Sequence, residues 1–457
     1  MDEMRILSPT AILGYGFPEE SLKNGFKHNP DVIGLDAGSS DPGPYYLGEG
    51  KPFVPRDAVK RDLELIIPTA FKRKIPVVIG TSGGSGAKPH VDWCMDIIRE
   101  ICRKHKIHPR IAVIYADIDK KYLKKKLKQG KITPLPFVPK ITNKVIDGAS
   151  NIVAQMGVEP LISALEKGVD IVVAGRCYDP AVFAALPVKE GFDEGLAIHL
   201  GKIVECAAIA ATPGSGKDCV LGILRRNSFI LKTLSKERRF TVDSVAAHTL
   251  YEKSDPLALP GPGGYLDLTQ TKFRQVTPSS VEVSGSRHIK SNHYTLKIEG
   301  TAFKGFRTIS VCGIRDSIMI RQIDSILAEI KKIVKKTYGK KEYFLDFKIY
   351  GKNGVMGELE PVKKIISHEI GIVIEAVAST QNFANTICGF ARSTMLHYGY
   401  PGRISTAGNL AFPFSPSDVQ MGKVYEFSIY HIVEEDEHDK LFKIKYLKFN
   451  IKGSRRL

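Results

Sequence analysis

Short apolar runs recur along the first half of the chain, separated by amphipathic segments of helical period. Residues 4–13 predict a first strand, 19–26 a helix, and 31–35 a second strand that ends at Asp36. A helix is expected over 61–71, and the wholly apolar PVVI at 76–79 reads as a strand. Over 93–102, Trp93, Ile97, Ile98 and Ile101 share one helical face. IAVIY (111–115) and VDIVVA (169–174) are further strands. Apolar strands alternating with helices predict an α/β fold, with a mostly parallel, doubly wound sheet covered by helices on both faces.

The second half changes character. Ile320, Ile323, Leu327, Ile330 and Val334 predict an amphipathic helix over 318–336, and a second is expected over 383–396. Strands are expected over 280–284, 294–298, 308–312, 344–349, 370–377 and 425–432. That mixture predicts an α+β domain. KLFKIKYLKFNIK (440–452) alternates apolar and basic residues like a half-exposed strand, but its phase slips between Tyr446 and Leu447, where a bulge is expected. PGSGKD (213–218) lacks the glycine and the Ser/Thr of a phosphate-binding Walker loop, because Ala211 and Asp218 stand in those places. It reads as a linker. The expected division is therefore an α/β domain over 1–214 with a ligand cleft at its strand ends, and an α+β domain over 215–457 closing that cleft.

Composition narrows the classes. The chain has 457 residues, 43% of them hydrophobic and 25% charged, which excludes disorder, collagen and coiled coil. Its formal charge of +17 favours anionic partners. No window reaches the roughly 18 apolar residues of a membrane helix. The acidic start MDEMRILSP lacks the basic and apolar regions of a secretory signal. The cysteines (Cys94, Cys102, Cys177, Cys206, Cys219, Cys312 and Cys388) form no CxxC pair, so a reduced, cytoplasmic setting is expected without a zinc ribbon or disulfide framework. The lysine runs at 120–131 and 331–341 read as solvated helix faces without interleaved stacking aromatics, which counts against nucleic acid.

The candidate chemistry lies in the segments after the strands. In an open parallel sheet, ligands bind outside the carboxyl ends of the strands. Asp36, Ser39, Ser40 and Asp41 follow one strand. Thr81, Ser82, Gly83, Gly84, Ser85 and Gly86 follow the next, Asp117 a third, and Arg176 and Asp179 a fourth. TSGGSGA suits an anion cradle, its glycines admitting a phosphate to backbone N–H groups ahead of a helix N-terminus. A tight turn needing only positive φ explains the glycines equally well. The segment lacks the third glycine of a dinucleotide fingerprint, and Asp117 lies late for a ribose acid, so NAD is disfavoured. Arg176 is either bridged to Asp179 or Asp36, or clamps a carboxylate or thioester oxygen. Asp179, ahead of Pro180, is best read as a helix cap. Cys177 is read as a bystander and Cys206 as core.

His248 is a candidate general acid/base, with Tyr251 on the same helix face, although a structural role is commoner for a lone histidine. His199, His288 and His293 are lesser candidates. Two long loops, 255–268 with Gly263 and Gly264 and 399–418 with Arg403, Ser405, Thr406 and Asn409, suit either a cleft wall or inter-domain packing. Asp36, Asp41 and Asp179 are oxygen ligands of the kind Mg²⁺ takes, but their spacing demands no metal.

Seven stretches in order carry a resemblance: RILSPTAILGYGF, DVIGLDAGSSDPGPYYLG, VIGTSGGSGA, VVAGRCYDPA, GPGGYLDL, HYGYPGRISTAGNLAFPFSPSD and VYEFSIYHI. Together they span nearly the whole chain, which resembles the acyclic terpene utilisation (AtuA) family. The resemblance implies a catabolic protein acting on a branched, unsaturated or hydroxylated acid or its CoA thioester, with CoA entering as part of the substrate. A lyase or hydratase would place the phosphates on Ser82 to Gly86 and the carboxylate or thioester oxygen on Arg176, while Asp36 or His248 moves the proton. Longer relatives carry a small ferredoxin-like α+β domain that this sequence lacks. A separate small subunit is therefore expected, docking on the edge at 440–452, alongside homo-oligomerisation. The rivals are a non-catalytic subunit that binds an acyl-CoA or a partner, and a nucleic-acid-associated basic protein.

Overall fold

Strands whose residues alternate between two apolar faces build the large sheet. The computed structural model describes residues 2–251, 255–404, 408–435, 437–449 and 455–456. In chain order the first strands are β1 (Glu3–Ser8), β2 (Val32–Gly38), β3 (Val77–Gly84), β4 (Arg110–Ile114), β5 (Ile132–Pro134), β6 (Ala149–Ala154), β7 (Ile171–Ala174), β8 (Val220–Arg225) and β9 (Ser228–Thr233). β1, β2, β3, β7 and β4 lie side by side and parallel. Ile33, Leu35, Val77, Ile79 and Val173 face one core with the helices Arg56–Arg73 and Lys88–His105. Val32, Val78, Val172 and Ala174 face the other, with Glu159–Glu166, Ala181–Lys189 and Glu194–Val204. The doubly wound α/β expectation therefore holds. Contact on the second face is close enough to require a glycine. A Cβ at Gly34 would lie 2.4 Å from the ring of fully buried Phe183.

Antiparallel strands extend this centre on both sides. β8 pairs with β1 from Glu3↔Arg225 to Ser8↔Val220, then come β9, Ser280–Ser284 and Lys272–Thr277. On the opposite flank Ile444–Lys448 pairs with β4, and Arg455–Arg456 pairs with Leu447 and Lys448. Part of the edge expected to dock a separate subunit is thus already paired. The bulge expected at Tyr446 is absent, since the register runs unbroken from Ile444↔Ile114 to Lys448↔Arg110. The phase slip has another cause. Ile444 and Tyr446 pack on one core and Leu447 on the other, so this strand is apolar on both faces.

The chain divides into two compact units elsewhere than at residue 214. Unit 1 comprises Met1–Ala302 and Phe427–Leu457, and unit 2 Phe303–Glu426. PGSGKD is not a linker, because Gly216 O accepts Ala11 N–H at 3.0 Å and Thr10 Oγ1 at 3.1 Å. The region 255–268 is not a structureless loop but a hairpin, Ala258–Gly261 with Gly264–Asp267, joined by Arg287–Lys290. The two strands expected over 294–298 and 308–312 are one, Thr295–Ile314, whose first part pairs with β6.

Unit 2 is α+β. Ile370–Ala378 lies between Tyr343–Tyr350 and the later part of Thr295–Ile314 and pairs with both. Ile323, Ile330 and Val334 of the helix Ile323–Tyr338, and Ile387 and Cys388 of Gln381–His397, share a core with Ile372 and Ile374. The single helix expected over 318–336 is two, broken where Gln322 leaves helical backbone at φ −102° and ψ 8°. Among the described residues no helix is long and apolar enough to cross a membrane.

A chain stopped at residue 214 would leave the β8-facing edge of β1 bare. It is expected to lose near-ultraviolet circular dichroism and cooperative unfolding. A native-like melt of that fragment would show that 1–214 folds alone.

Candidate functional site

β2, β3 and β7 are neighbours, so the segments at their carboxyl ends open side by side. Thr81 adopts φ 49°, unusual for a β-branched residue, and its Oγ1 accepts from Cys177 N–H at 3.1 Å and Arg176 Nη1 at 3.4 Å. That hydroxyl joins the end of β3 to the end of β7. Gly86, at φ +68°, accepts Arg176 N–H at 3.1 Å, and a Cβ there would lie 2.2 Å from the same nitrogen. Gly83 is pressed against His90 in the same way. Ser82 is buried beside Cys94. These positions serve close backbone packing, which favours the tight-turn reading of their glycines. Lys88 N–H, at the start of the following helix, donates to Asp117 Oδ1 at 3.1 Å, so that N-terminus already meets a carboxylate. What faces solvent is a narrow cleft of about 10 Å³ lined by Ser39, Ser40, Gly84, Ser85, Arg176 and Glu299.

Arg176 is 5% exposed, and its guanidinium is largely occupied. Nε and Nη2 reach Glu299 at 3.1 and 3.4 Å, while Nη1 reaches Asp179 Oδ1 at 3.1 Å and Cys177 O at 3.2 Å. Of its five N–H groups, at most one on Nη2 is left for a ligand. The bridged reading of Arg176 describes the observed contacts better than the clamp. Asp179 is an ion-pair partner rather than a cap, since the helix that follows receives no side-chain cap. Glu299 also takes Lys297 Nζ at 2.8 Å. Burial raises its pKa, but Arg176 and Lys297 outweigh that and hold the carboxyl at about 2.

Asp36 moves in the other direction. It is 5% exposed at the end of β2. Burial first, then the charges of Asp179 and Glu205, push its carboxyl far above the usual range. Gly38 N–H, at 3.2 Å, and Arg176 pull back only in part. Glu205 pairs with Lys202 at 2.6 Å, both largely buried. The Lys202 ammonium lies 5.9 Å from the ring centre of Tyr251, whose ring is 5.2 Å from His248. Tyr251 follows the last residue of the helix Val242–Leu250 instead of lying on its face. Tyr178 Oη is buried near the same charges, without a hydrogen-bond partner among the described residues.

One cluster therefore gathers Asp36, Arg176, Asp179 and the cleft-lining Ser39, Ser40, Gly84 and Ser85. It adds Glu299, Lys297, Glu205, Lys202 and Tyr178, which sequence reasoning missed. Glu205 had a visible signal, a lone acid in the apolar IVECAAIAA, whereas Lys297 fell in the strand expected over 294–298 and Glu299 just beyond it. Asp41 is exposed. Gly263 and Gly264 shape the hairpin turn. A Cβ would meet the Tyr294 ring at 2.7 Å in the first case and Ile289 O at 2.2 Å in the second. Arg403 and Asn409 belong to unit 2, where they bond the carbonyls of His397 and Tyr398, and of Met395 and Tyr398, at the end of the helix Gln381–His397. Ser405 and Thr406 lie outside the described residues. Among the described residues no group of three or more His, Cys, Asp or Glu is placed to hold a metal ion. Asp36 and Asp179 answer to Arg176 instead.

These features define an α/β protein with a buried acid–base cluster at the carboxyl edge of its parallel strands. The sequence matches the family described as acyclic terpene utilisation family protein AtuA over residues 55–216 and 225–413, and the chain belongs to that family. The description associates the family with acyclic terpene utilisation, a catabolic role. No curated protein matches the chain.

Removing one partner of a buried pair leaves the other charge stranded. Glu299→Ala and Arg176→Ala are each expected to cost about 3–5 kcal/mol in urea unfolding. The pH dependences of the two acids are opposite. Glu299 falls from its ordinary 4.5 to about 2 on folding, so its stabilisation is complete above about 4.5 and is lost as pH drops through about 2. The Asp36 carboxyl is pushed up on folding, so its contribution to stability declines as pH rises above its ordinary 3.8. Asp36→Asn should flatten that decline in melting temperature between about pH 5 and 8. An unchanged slope would show that Asp36 is ionised in the folded protein.

Proposed function

We propose that the protein is a lyase or hydratase-type enzyme acting on a branched, unsaturated or hydroxylated carboxylic acid or its CoA thioester. The observation that carries this reading is the placement of Asp36, buried at the end of β2, where burial and the charges of Asp179 and Glu205 push its carboxyl up. Separated pKa values within one cluster are how a site holds an acid and a base at the same pH. In a dehydration, Asp36 gives its proton to the departing hydroxyl, which leaves as water. The proton removed from the adjacent carbon restores the acid. Arg176 keeps Glu299 ionised and offers one Nη2 hydrogen to the substrate oxygen, beside Ser40 and Ser85. His248, whose ring lies 5.2 Å from that of Tyr251 at a tilt of 42°, is the second candidate for the proton.

The saturation of Arg176 favours one rival, in which the cleft holds an acyl-CoA for another enzyme and does no chemistry. The two are separated by a thermal-shift screen of branched and unsaturated acyl-CoAs and the matching free acids, followed by assay of whichever binds. A ligand at 100 times its Kd adds about 2.7 kcal/mol of stability. Asp36→Asn is expected to keep the shift and lower turnover by about 10²–10⁴. Full turnover in that variant would remove Asp36 from the chemistry. A ligand-induced shift without turnover in the parent chain would favour the binding subunit.

A further inference from the structure

Unit 1 holds a second and larger cleft, open to solvent, of about 890 Å³. Its floor is built. Lys126, with its side chain 10% exposed, pairs with Glu435 at 3.0 Å, and Glu435 also accepts the Tyr122 hydroxyl. One wall is the helix Lys120–Lys128, the other Lys443 and the strand Ile444–Lys448. Lys443 O accepts Tyr115 N–H at 3.4 Å, so this wall is fixed to the end of β4. Lys443 and Lys445, two residues apart along extended backbone, point the same way.

The acids lining this cleft are already engaged. Asp119 caps its helix through the N–H groups of Lys121 and Tyr122 at 2.7 and 3.2 Å. Asp117 takes Lys88 N–H, Glu435 takes Lys126 and Tyr122, and Glu437 pairs with Lys440 at 3.3 Å. The Lys88 ammonium pairs with Asp92. Lys125, Lys443 and Lys445 remain, exposed and without a carboxylate partner among the described residues. Three ammonium groups in one concavity, none held in an ion pair among the described residues, repel one another and favour an anion between them. We propose that this cleft binds the phosphate groups of a small phosphorylated ligand. Stacking of nucleic-acid bases is disfavoured, because the Tyr115 ring has Lys88 at 5.3 Å and Lys445 at 4.9 Å from its centre. The two clefts are close along the chain, with Gly84 and Ser85 lining the first and Lys88 the second. The inference rests on the second cleft alone and stands whether or not Asp36 does chemistry.

Titration calorimetry with pyrophosphate, ADP and CoA tests it on the full chain, the double variant Lys443→Glu/Lys445→Glu, Lys125→Gln and Asp36→Asn. Pyrophosphate is expected to bind the parent chain and Asp36→Asn alike, and the double variant at least about tenfold more weakly. Lys125→Gln should show a smaller loss at an unchanged melting temperature, which keeps the result independent of any unfolding in the double variant. CoA binding more tightly than ADP would support the proposal with a terminal phosphomonoester as part of the ligand. Equal binding of the two would support it with the diphosphate alone. Unchanged pyrophosphate affinity in both lysine variants would overturn it. So would a match by sulfate at the same ionic strength, or displacement by an oligonucleotide that saturates at a defined length.

Discussion

The Arg176–Glu299 pair joins the end of a parallel strand to a strand 123 residues further along the chain, and the cleft is arranged around it. Burying two charges carries a desolvation penalty that their mutual attraction offsets only when the geometry is good and the remaining donors are occupied. Both conditions are met here. The guanidinium meets Glu299 through two nitrogens, and Asp179, Thr81 and the Cys177 carbonyl take most of what is left. Thr81 holds a left-handed backbone to do so, and Gly86 lacks a side chain so that Arg176 N–H can approach. Local strain and local permissiveness both serve one guanidinium.

The same pair separates the roles of the acids around it. Glu299 sits between Arg176 and Lys297 and stays charged. Asp36 is buried, shares Arg176 with Asp179 and sees Glu205 as well, so its carboxyl is pushed up. Two buried carboxyls of near-identical chemistry are thus pushed in opposite directions, Glu299 down and Asp36 up. Both are nearly inaccessible, so the difference comes from the neighbouring charges, cations at Glu299 and the acids Asp179 and Glu205 at Asp36.

The central strands were legible because burial on two faces leaves uninterrupted apolar runs, as in PVVI and VDIVVA. Asp36, Arg176 and Asp179 were legible because a parallel sheet puts its polar strand ends together. Glu299, Lys297, Lys202 and Glu205 were not. Their significance comes from pairings across long stretches of chain, to which hydrophobic period is blind. Composition also misled. The glycines of PGSGKD suggested a linker, yet its carbonyl at Gly216 is bonded to Ala11. The Pro and Gly of 258–267 suggested a loop, yet they form the turn and strands of a hairpin. At Arg176, reading the residue type alone left clamp and bridge equally open. Counting its donors in the fold favours the bridge.

The flank of the parallel sheet beyond β4 is covered by residues 444–448, roughly 330 positions later in the chain. During synthesis the ribosome delivers β4 long before that covering strand. At about 5–20 residues per second the interval is on the order of tens of seconds. Throughout it, the nascent domain presents a bare, apolar parallel edge, the kind of surface that recruits stray strands. The burden of that exposure falls on the cell's chaperones, and it is fixed by the order of the strands in the chain, whatever the stability of the finished fold.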